Sequence, residues 1–234
     1  MIGIRVADIN ILLQNRYAYT EALCREYVTE FAHPDFSVVA TDKDIAEEIK
    51  IADIPIDADY AESVCLHREI AERLWAHDAF LLHSALIECD GEGYAFAARS
   101  GVGKSTHIGL WKKNFGDRVR IINGDKPIIR LTEEGIMAYG TPWNGKERYG
   151  ENRRCPLRAL CFLERGIENA IVPISTDEAV SRIFPQIYLP KSAEGATATL
   201  DLLDSFVDRV SFFRLACNME DEAALVAHQA MSAF

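Results

Sequence analysis

The chain has 234 residues and a formal net charge of −11, with 49% apolar and 26% charged residues. This length fits one domain of ordinary size, or a catalytic domain with a small appendage. The composition excludes a disordered or collagen-like chain, because the apolar fraction is sufficient for a core. The acidic balance argues against a nucleic-acid partner, because neutralising phosphates requires clustered Lys and Arg.

The sequence predicts no membrane segment and no exported form. Its apolar stretches are far shorter than the ~20 residues that a transmembrane helix requires. Arg5 and Asp8 stand where a signal peptide has its apolar segment. We therefore expect no membrane partner and a cytoplasmic location. The six cysteines are scattered without a CxxC pair, which predicts reduced thiols rather than disulfides or a zinc site.

The predicted elements of the first third alternate between strands and helices. Alternating apolar residues indicate a strand, and apolar residues at i, i+4 and i+8 indicate a helix. In chain order, we predict a strand at 5–14, a helix at 17–31, a strand at 36–41, a helix from Asp42 or Asp44 to residue 49, and a helix at 63–75.

The centre of the chain is rich in strands, and the last third is predicted to be mostly helical. We predict a hairpin formed by a strand at 79–89, a tight turn at Asp90-Gly91 and a return strand at 93–98. We predict a helix at 104–114, strands at 119–122, 126–131, 135–139, 157–164 and 170–173, then helices at 177–184, 199–216 and 219–231, the last capped by Asn218.

These elements predict a mixed α/β chain with a sheet-rich centre and helices at both ends. The composition of the predicted elements suggests two parts. Residues 1–76 form a small α/β segment whose role in recognition or assembly stays open, and residues 77–234 form the main domain with a helical C-terminal part.

The most informative segment is the loop between the strand at 93–98 and the helix at 104–114. It is close to the phosphate-loop pattern G-x-x-x-x-G-K-[ST], with Ala98 in place of the first glycine. Backbone N–H groups of such a loop, with the positive end of the helix dipole, form an anion site. Lys104 can reach the β- and γ-phosphates, and Ser105 can hold Mg²⁺. The predicted phosphate-binding residues are Ser100, Gly101, Val102, Gly103, Lys104, Ser105 and Thr106.

Two other residues are candidates for the same site. Asp125 follows the strand predicted at 119–122, after Asn123-Gly124. A carboxylate at the end of this strand can hold Mg²⁺ or accept a proton from a hydroxyl. The alternative is a surface turn, since Asn-Gly-Asp is also turn chemistry. His83 lies in an apolar strand and reaches the loop only in a suitable register, and otherwise it is a core histidine.

Three segments together resemble the catalytic domain of HPr kinase/phosphorylase, which shares its fold with the phosphoenolpyruvate carboxykinases. They are His83-Ser84-Ala85-Leu86-Ile87, the loop from Ser100 to Ser105, and Ile122-Asn123-Gly124-Asp125. The resemblance covers about 79–164, somewhat over a third of the chain, and indicates a divergent, serine-kinase-like member. It implies a P-loop kinase core in which Lys104 and Ser105 bind a Mg–nucleotide. It also implies His83 near the transferred phosphate and Asp125 as metal ligand or base.

The chain departs from that family at several positions. The family has two adjacent aspartates, whereas Gly124 precedes Asp125 here, so one carboxylate does both jobs or a second comes from elsewhere. The family's signature after the phosphate loop is replaced by 139–148, and the first 75 residues do not resemble its N-terminal domain. In the replacement loop, we predict substrate-binding roles for Trp143, Asn144, Lys146 and Arg148. The alternative is a solvated basic loop over a packed Trp143.

The sequence therefore predicts a kinase that transfers a phosphoryl group from a nucleotide to a hydroxyl with Mg²⁺, using Asp125, His83 and Lys104 as catalytic residues. ATP is the expected donor, with ADP and pyrophosphate left open. The resemblance favours a serine hydroxyl of a protein, a peptide or a small metabolite as acceptor. Alternatives are a nucleotide-sensing module with little turnover, a phosphoenolpyruvate carboxykinase-like lyase, and dephosphorylation of the same substrate. Homo-oligomerisation stays open, because the HPr kinases are hexameric and the N-terminal segment differs.

Overall fold

The computed structural model of the protein describes residues 1–99 and 101–233, so the prediction for Ser100 lies outside the described residues. Its strands form a three-stranded sheet at the N-terminus and a nine-stranded sheet in the centre of the chain. Helices pack against both sheets. The predicted class, mixed α/β with a sheet-rich centre, is confirmed.

The N-terminal sheet has the order β1 (Ile2–Val6), β2 (Ile9–Gln14) and β3 (Phe36–Val39). β1 and β2 are antiparallel, and β2 and β3 are parallel. The single strand predicted here is wrong, because the chain reverses at Ala7 and Asp8, whose φ angles are 53° and 59°. Two positive φ angles suit a two-residue hairpin, but no glycine marks this turn in the sequence.

Three helices follow or flank that sheet, and the predicted bounds need correction. The helix predicted at 17–31 ends early, because Tyr27 turns into the core and its hydroxyl donates to the Glu151 carbonyl oxygen. The helix predicted at 63–75 begins at Ala58 and closes with a separate 3₁₀ turn at Leu74–His77. The observed helices are α1 (Ala18–Leu23), α2 (Asp42–Ile51) and α3 (Ala58–Ala71).

The large sheet has the order β4-β8-β9-β10-β6-β5-β7, with β12 beside β10 and β11 beside β12. The strands are β4 (Ala79–Leu81), β5 (Ala85–Cys89), β6 (Glu92–Ala97), β7 (Val119–Asn123), β8 (Ile128–Thr132), β9 (Gly135–Tyr139), β10 (Arg154–Arg165), β11 (Ala170–Pro173) and β12 (Ser211–Cys217).

The long strand β10 joins the two halves of this sheet. Its first residues pair antiparallel with β9, and its later residues pair parallel with β6 and β12. The strand predicted at 79–89 is wrong in its middle, because the chain leaves the sheet between β4 and β5. There the backbone N–H of His83 donates to the Gln186 carbonyl oxygen at 2.7 Å. β4 pairs with β8 and β5 with β6 and β7, so His83 lies between the two halves.

The C-terminal third contains a strand that the pattern did not predict. The helix predicted at 199–216 is wrong in its second half, which is β12, parallel to β10. Phe212 and Phe213 are buried in different clusters on the two faces of the sheet. A strand buried on both faces reads as a continuous apolar run, which periodicity does not separate from a helix. The helices here are α5 (Thr176–Ile183), α6 (Ala193–Val207) and α7 (Glu222–Met231).

The predicted cap of the last helix is also wrong. α7 begins after Asp221, and the side chain of Asn218 accepts a hydrogen bond from the Glu220 N–H in the preceding turn. The thiol prediction agrees with the structure, since all six cysteines are free. Every helix in the described ranges is too short or too polar to cross a bilayer.

One hydrophobic cluster joins the N-terminal region to the large sheet. It contains Ile4 and Leu13 of the small sheet, Leu66 of α3, and Ile128 and Met137 of β8 and β9. This packing holds α3 against the half of the sheet formed by β4, β8 and β9. The predicted boundary at residue 76 stays a prediction.

A buried carboxylate fastens the segment before α1 to α3. The Glu62 side chain is inaccessible to solvent and accepts hydrogen bonds from three donors. These are the Arg16 N–H at 2.6 Å, the Tyr17 N–H at 3.2 Å and the Thr20 hydroxyl at 3.1 Å. Because unsatisfied buried donors destabilise a protein, Glu62 is required to position α1.

We predict that Glu62→Ala lowers the free energy of unfolding by about 3 kcal/mol, at ~1 kcal/mol for each hydrogen bond lost. Urea denaturation followed by circular dichroism measures the change. Glu30→Ala removes an exposed carboxylate and is the control, with an expected change within about 0.5 kcal/mol. Equal stability of the two variants would contradict the role given to Glu62.

Candidate active site

The loop between β6 and α4 (Lys104–Phe115) has the backbone that its glycines suggest. Gly101 and Gly103 have φ angles of 78° and 123°, in the left-handed region that glycine adopts without strain. Ala98 is not among the described non-glycine residues with positive φ, so its methyl group is accommodated at the end of the strand. The strand, loop and helix therefore follow the phosphate-loop order on both sides of residue 100.

The loop is anchored from the large sheet and from its own helix. The Arg165 guanidinium, at the end of β10, donates to the Gly101 carbonyl oxygen at 2.7 Å. The His107 N–H donates to the Gly103 carbonyl oxygen at 2.9 Å. No acidic residue lies in the first turn of α4, so the positive end of its dipole is not compensated locally. Arg165 was not predicted as a site residue, because a charged residue at the end of a strand is by itself no sign of such a contact.

The three predicted catalytic residues lie together. His83 Nε2 is 3.0 Å from Lys104 Nζ and 3.1 Å from Asp125 Oδ1. Lys104 also donates to the Ala98 carbonyl oxygen at 3.4 Å. One ring nitrogen thus faces both partners. With a proton, Nε2 donates to the carboxylate, and without one it accepts from the ammonium group.

Asp125 is held as a carboxylate by neighbouring positive charge. Burial raises its pKa, but the hydrogen bond with His83 and the Lys126 ammonium outweigh burial. The net pKa lies well below the ordinary value of 3.8. Lys126 Nζ donates to Asp125 Oδ2 at 2.9 Å, a contact that the sequence analysis did not consider. Burial lowers the pKa of Lys104, Asp125 opposes this effect, and the charge of Lys126 adds to it.

The turn that carries Asp125 is ordered by two buried polar side chains. Asn123 Oδ1 accepts from the backbone N–H groups of Asp125 at 2.8 Å and Lys126 at 2.6 Å. Its amide nitrogen donates to the Thr141 hydroxyl at 3.0 Å, and that hydroxyl donates to the Lys126 carbonyl oxygen at 2.8 Å. Asn123 and Thr141 are both inaccessible to solvent. Buried polar groups therefore hold the turn, while Gly124, Asp125 and Lys126 are partly exposed.

Gly124 stands where the resembling family has another aspartate, and the structure gives a physical reason. A Cβ atom at Gly124 would lie 2.7 Å from the Asn144 carbonyl oxygen. The Gly124 N–H donates to the Tyr149 carbonyl oxygen at 2.8 Å. Because the 142–150 loop packs this closely, position 124 has no room for a side chain. Among the described residues that line the cavity, Glu147 is the carboxylate besides Asp125.

These elements enclose a cavity of about 990 Å³ whose charge is opposite to that of the whole protein. Five Lys and Arg side chains and two carboxylates line it within the described ranges. The predicted substrate residues Trp143, Asn144, Lys146 and Arg148 line it as well. The charged lining residues are Arg99, Lys104, Lys126, Lys146, Arg148, Asp125 and Glu147. From the glycine-rich loop and the first turn of α4, the lining residues are Gly101, Gly103, Lys104, Ser105 and Thr106.

The remaining wall comes from the N-terminal region, which the sequence analysis left without a role. The His67 ring stacks on the Trp143 ring at a centroid distance of 4.5 Å and an interplanar angle of 19°. The Trp143 indole N–H donates to the Ser63 carbonyl oxygen at 3.1 Å. Trp143 thus joins the loop to α3 and also faces the cavity. The N-terminal lining residues are Tyr19, Leu23, Tyr60, Ser63, Val64 and His67.

Ser105 and Asp125 are the side chains in this cavity that suit Mg²⁺. A hydroxyl and a carboxylate supply the hard oxygen donors that this ion prefers, and Mg²⁺ commonly combines one or two such ligands with phosphate oxygens and waters. Both residues line the same cavity beside the N-terminus of α4. The residues present therefore fit the ion.

No protein-family model matches the chain, and no curated protein matches its sequence. Among solved structures, the chain is similar to the HPr(Ser) kinase/phosphatase from Coxiella burnetii. The TM-score is 0.37 at 6% sequence identity, and the match covers 66% of this chain and 99% of that chain. This likeness is distant, so a functional assignment has to come from the residues of the cavity.

We predict that Asp125 makes the stability of the protein depend on pH in the acid range. Its pKa is lower in the folded state than the ordinary 3.8, so its contribution is complete above that value and is lost as the pH falls towards the folded pKa. The stability difference between the wild type and Asp125→Asn should therefore be larger at pH 7 than at pH 3. Urea denaturation at both pH values measures it.

Asp53→Asn is the control for this comparison, because Asp53 is exposed. Its stability difference from the wild type should change little between the two pH values. A difference for Asp125→Asn that is equal at pH 7 and pH 3, or larger at pH 3, would contradict the assignment of Asp125 as a stabilised carboxylate.

Proposed function

We propose that the protein is a Mg²⁺-dependent kinase that transfers a phosphoryl group from ATP to a hydroxyl acceptor. The proposal rests on the position of His83 Nε2, which is 3.0 Å from Lys104 Nζ and 3.1 Å from Asp125 Oδ1. These groups lie at the N-terminus of α4, in a cation-lined cavity of an acidic protein. Positioning and charge neutralisation are what phosphoryl transfer requires of a protein.

The proposed donor site is the loop and the first turn of α4. Its backbone N–H groups and the helix dipole favour phosphate oxygens, and Lys104 supplies a mobile positive charge for the β- and γ-phosphates. Lys104 Nζ contacts His83 and the Ala98 carbonyl oxygen, and it can exchange both contacts for phosphate oxygens. The cations of the cavity attract the anionic donor, although the protein as a whole carries a net charge of −11.

The metal ligands in this proposal are Ser105 and Asp125. When bound, Mg²⁺ supplies charge neutralisation and orientation of the phosphates. Lys126 and His83 hold the Asp125 carboxylate ionised and limit its rotation. The buried Asn123 side chain fixes the backbone that carries it.

In the proposed reaction, the acceptor hydroxyl gives its proton to the Asp125 carboxylate or to His83. The acceptor oxygen forms a bond to the γ-phosphorus, the bond from that phosphorus to the bridging oxygen breaks, and ADP leaves. The low pKa of Asp125 makes it a weak base, so its main contribution is to orient the hydroxyl until proton transfer late in the step. The resemblance to HPr kinase favours a serine-type hydroxyl.

A nucleotide-sensing module is the second candidate. It is favoured by the contacts of Asp125, since both carboxylate oxygens already have partners in His83 and Lys126. Gly124 also leaves no room for a neighbouring carboxylate. A sensor would bind Mg–nucleotide without transferring phosphate to an acceptor.

We predict that Asp125→Asn retains Mg–ATP binding and loses at least about 10²-fold in turnover, the usual contribution of a positioned base. Lys104→Ala should weaken Mg–ATP binding by roughly tenfold or more, because charged hydrogen bonds to phosphate are lost. Calorimetry with ATP, ADP and pyrophosphate measures binding, and product mass with hydroxyl acceptors measures transfer.

Lys43→Ala removes an exposed charge on α2 and is the matched control, with unchanged binding and turnover. Full transferase activity in Lys104→Ala, or absence of Mg–nucleotide binding in the wild type, would refute the kinase. Tight binding without any transfer in the wild type would support the sensor.

A further inference from the structure

The wall formed by the N-terminal region is joined to the loop that packs on Asp125. A Cβ atom at Gly145 would be 3.1 Å from Asp125 Cβ, so the loop that carries Trp143 and Arg148 packs directly against the candidate base. The charges of Lys126 and Asp125 also act on the His67 ring of α3. Because the proposed reaction brings the acceptor hydroxyl to Asp125, we infer that α3 and this loop form the acceptor side of the cavity.

This side of the cavity is closed by structure of the chain itself. The Trp143 indole is hydrogen-bonded to the Ser63 carbonyl oxygen and stacked on the His67 ring, both of α3. Glu62, also on α3, accepts hydrogen bonds from the segment before α1. Sites of ~300–1,000 Å³ hold small molecules, and this cavity of about 990 Å³ has to hold the donor and the acceptor together. The cavity therefore has room for a small acceptor beside the donor.

Arg148 provides a charge at this wall that lacks an acidic partner. None of the described ion pairs includes Arg148, and its φ angle of 53° is strained for a residue with a side chain. Its guanidinium lies beside the Tyr19 hydroxyl, and the Tyr19 ring is in edge contact with Tyr60 at 5.8 Å between centroids. A guanidinium beside aromatic rings suits a carboxylate, which it binds through two parallel hydrogen bonds.

The His67 ring lines this wall without adding charge to it. Its Nε2 atom is inaccessible to solvent and has no hydrogen-bond partner among the residues that the structure describes. Burial lowers the pKa of His67 to about 3, so the ring is neutral at neutral pH.

We propose that the acceptor is a small hydroxy acid. Arg148 of the 142–150 loop binds its carboxylate beside Tyr19, and the N-terminal region forms the rest of the acceptor site. This rests on the proposed kinase function. It gives α1 and α3 the role of acceptor recognition, and it predicts discrimination between a carboxylate and its uncharged counterpart.

The test uses the full chain with Mg–ATP and two sets of probes. The acids are D-glycerate, L-serine, L-threonine and L-homoserine, and the uncharged-carboxyl counterparts are glycerol, L-serinamide and L-threoninamide. A blocked serine-containing peptide is the third arm. We expect at least one acid to be phosphorylated roughly tenfold or more faster than its counterpart, in line with a charged hydrogen bond.

Variants assign that preference to the wall. Arg148→Gln should raise the KM for the acid roughly tenfold or more and change the KM for ATP less than about threefold, because only the acceptor loses a charged hydrogen bond. Tyr19→Phe retains the ring and should raise the same KM by a smaller factor. Arg209→Gln, an exposed arginine outside the cavity, is the control and should behave as the wild type.

The outcomes separate this inference from the proposed function. Mg–ATP binding that depends on Lys104, with transfer to the peptide or equally to the uncharged compounds, would leave the kinase standing and overturn the hydroxy-acid acceptor. The same holds if none of the four acids is phosphorylated or if Arg148→Gln raises the KM for ATP instead. Absence of Mg–ATP binding in the wild type would refute both.

Discussion

The hydrogen bonds of the buried Asn123 side chain are the interaction on which the candidate site depends. Through them the end of β7, the backbone of Asp125 and Lys126, and Thr141 at the start of the neighbouring loop form one unit. A buried amide with all these partners restricts the backbone to one arrangement, because any other leaves unpaired polar groups in the core. The position of the Asp125 carboxylate relative to His83 and Lys104 follows from this restriction.

The electrostatics of the cavity follow from the same arrangement. Lys126 is adjacent to Asp125 in sequence and turns its ammonium group onto that carboxylate, while Lys104 approaches from α4. Two ammonium groups close to one carboxylate leave a net positive charge in a protein of charge −11. Burial and the neighbouring Lys126 ammonium lower the pKa of Lys104, and the Asp125 carboxylate opposes them.

The N-terminal region supplies part of the wall of the candidate site. Its hydrophobic cluster extends into β8 and β9, so α3 is held against the large sheet rather than attached by a flexible linker. The close packing of the 142–150 loop on Gly124 excludes a second adjacent carboxylate and at the same time brings Trp143 against His67. The departure from the two-aspartate pattern and the aromatic wall are thus consequences of one loop position.

Local features could be predicted from the amino-acid sequence, because each depends on neighbouring residues. They are the hairpin at Asp90-Gly91, the glycine-dependent loop before α4, and the amphipathic helices. The sequence also marked Lys104 and Asp125 as chemical groups at element ends. Three outcomes could be seen only in the folded chain. β12 is a strand, and the strand predicted at 79–89 is interrupted at His83. Tyr19 and His67 line the cavity, and Arg165 contacts the loop before α4. These outcomes depend on pairing and packing between residues far apart in the chain, which no local pattern encodes.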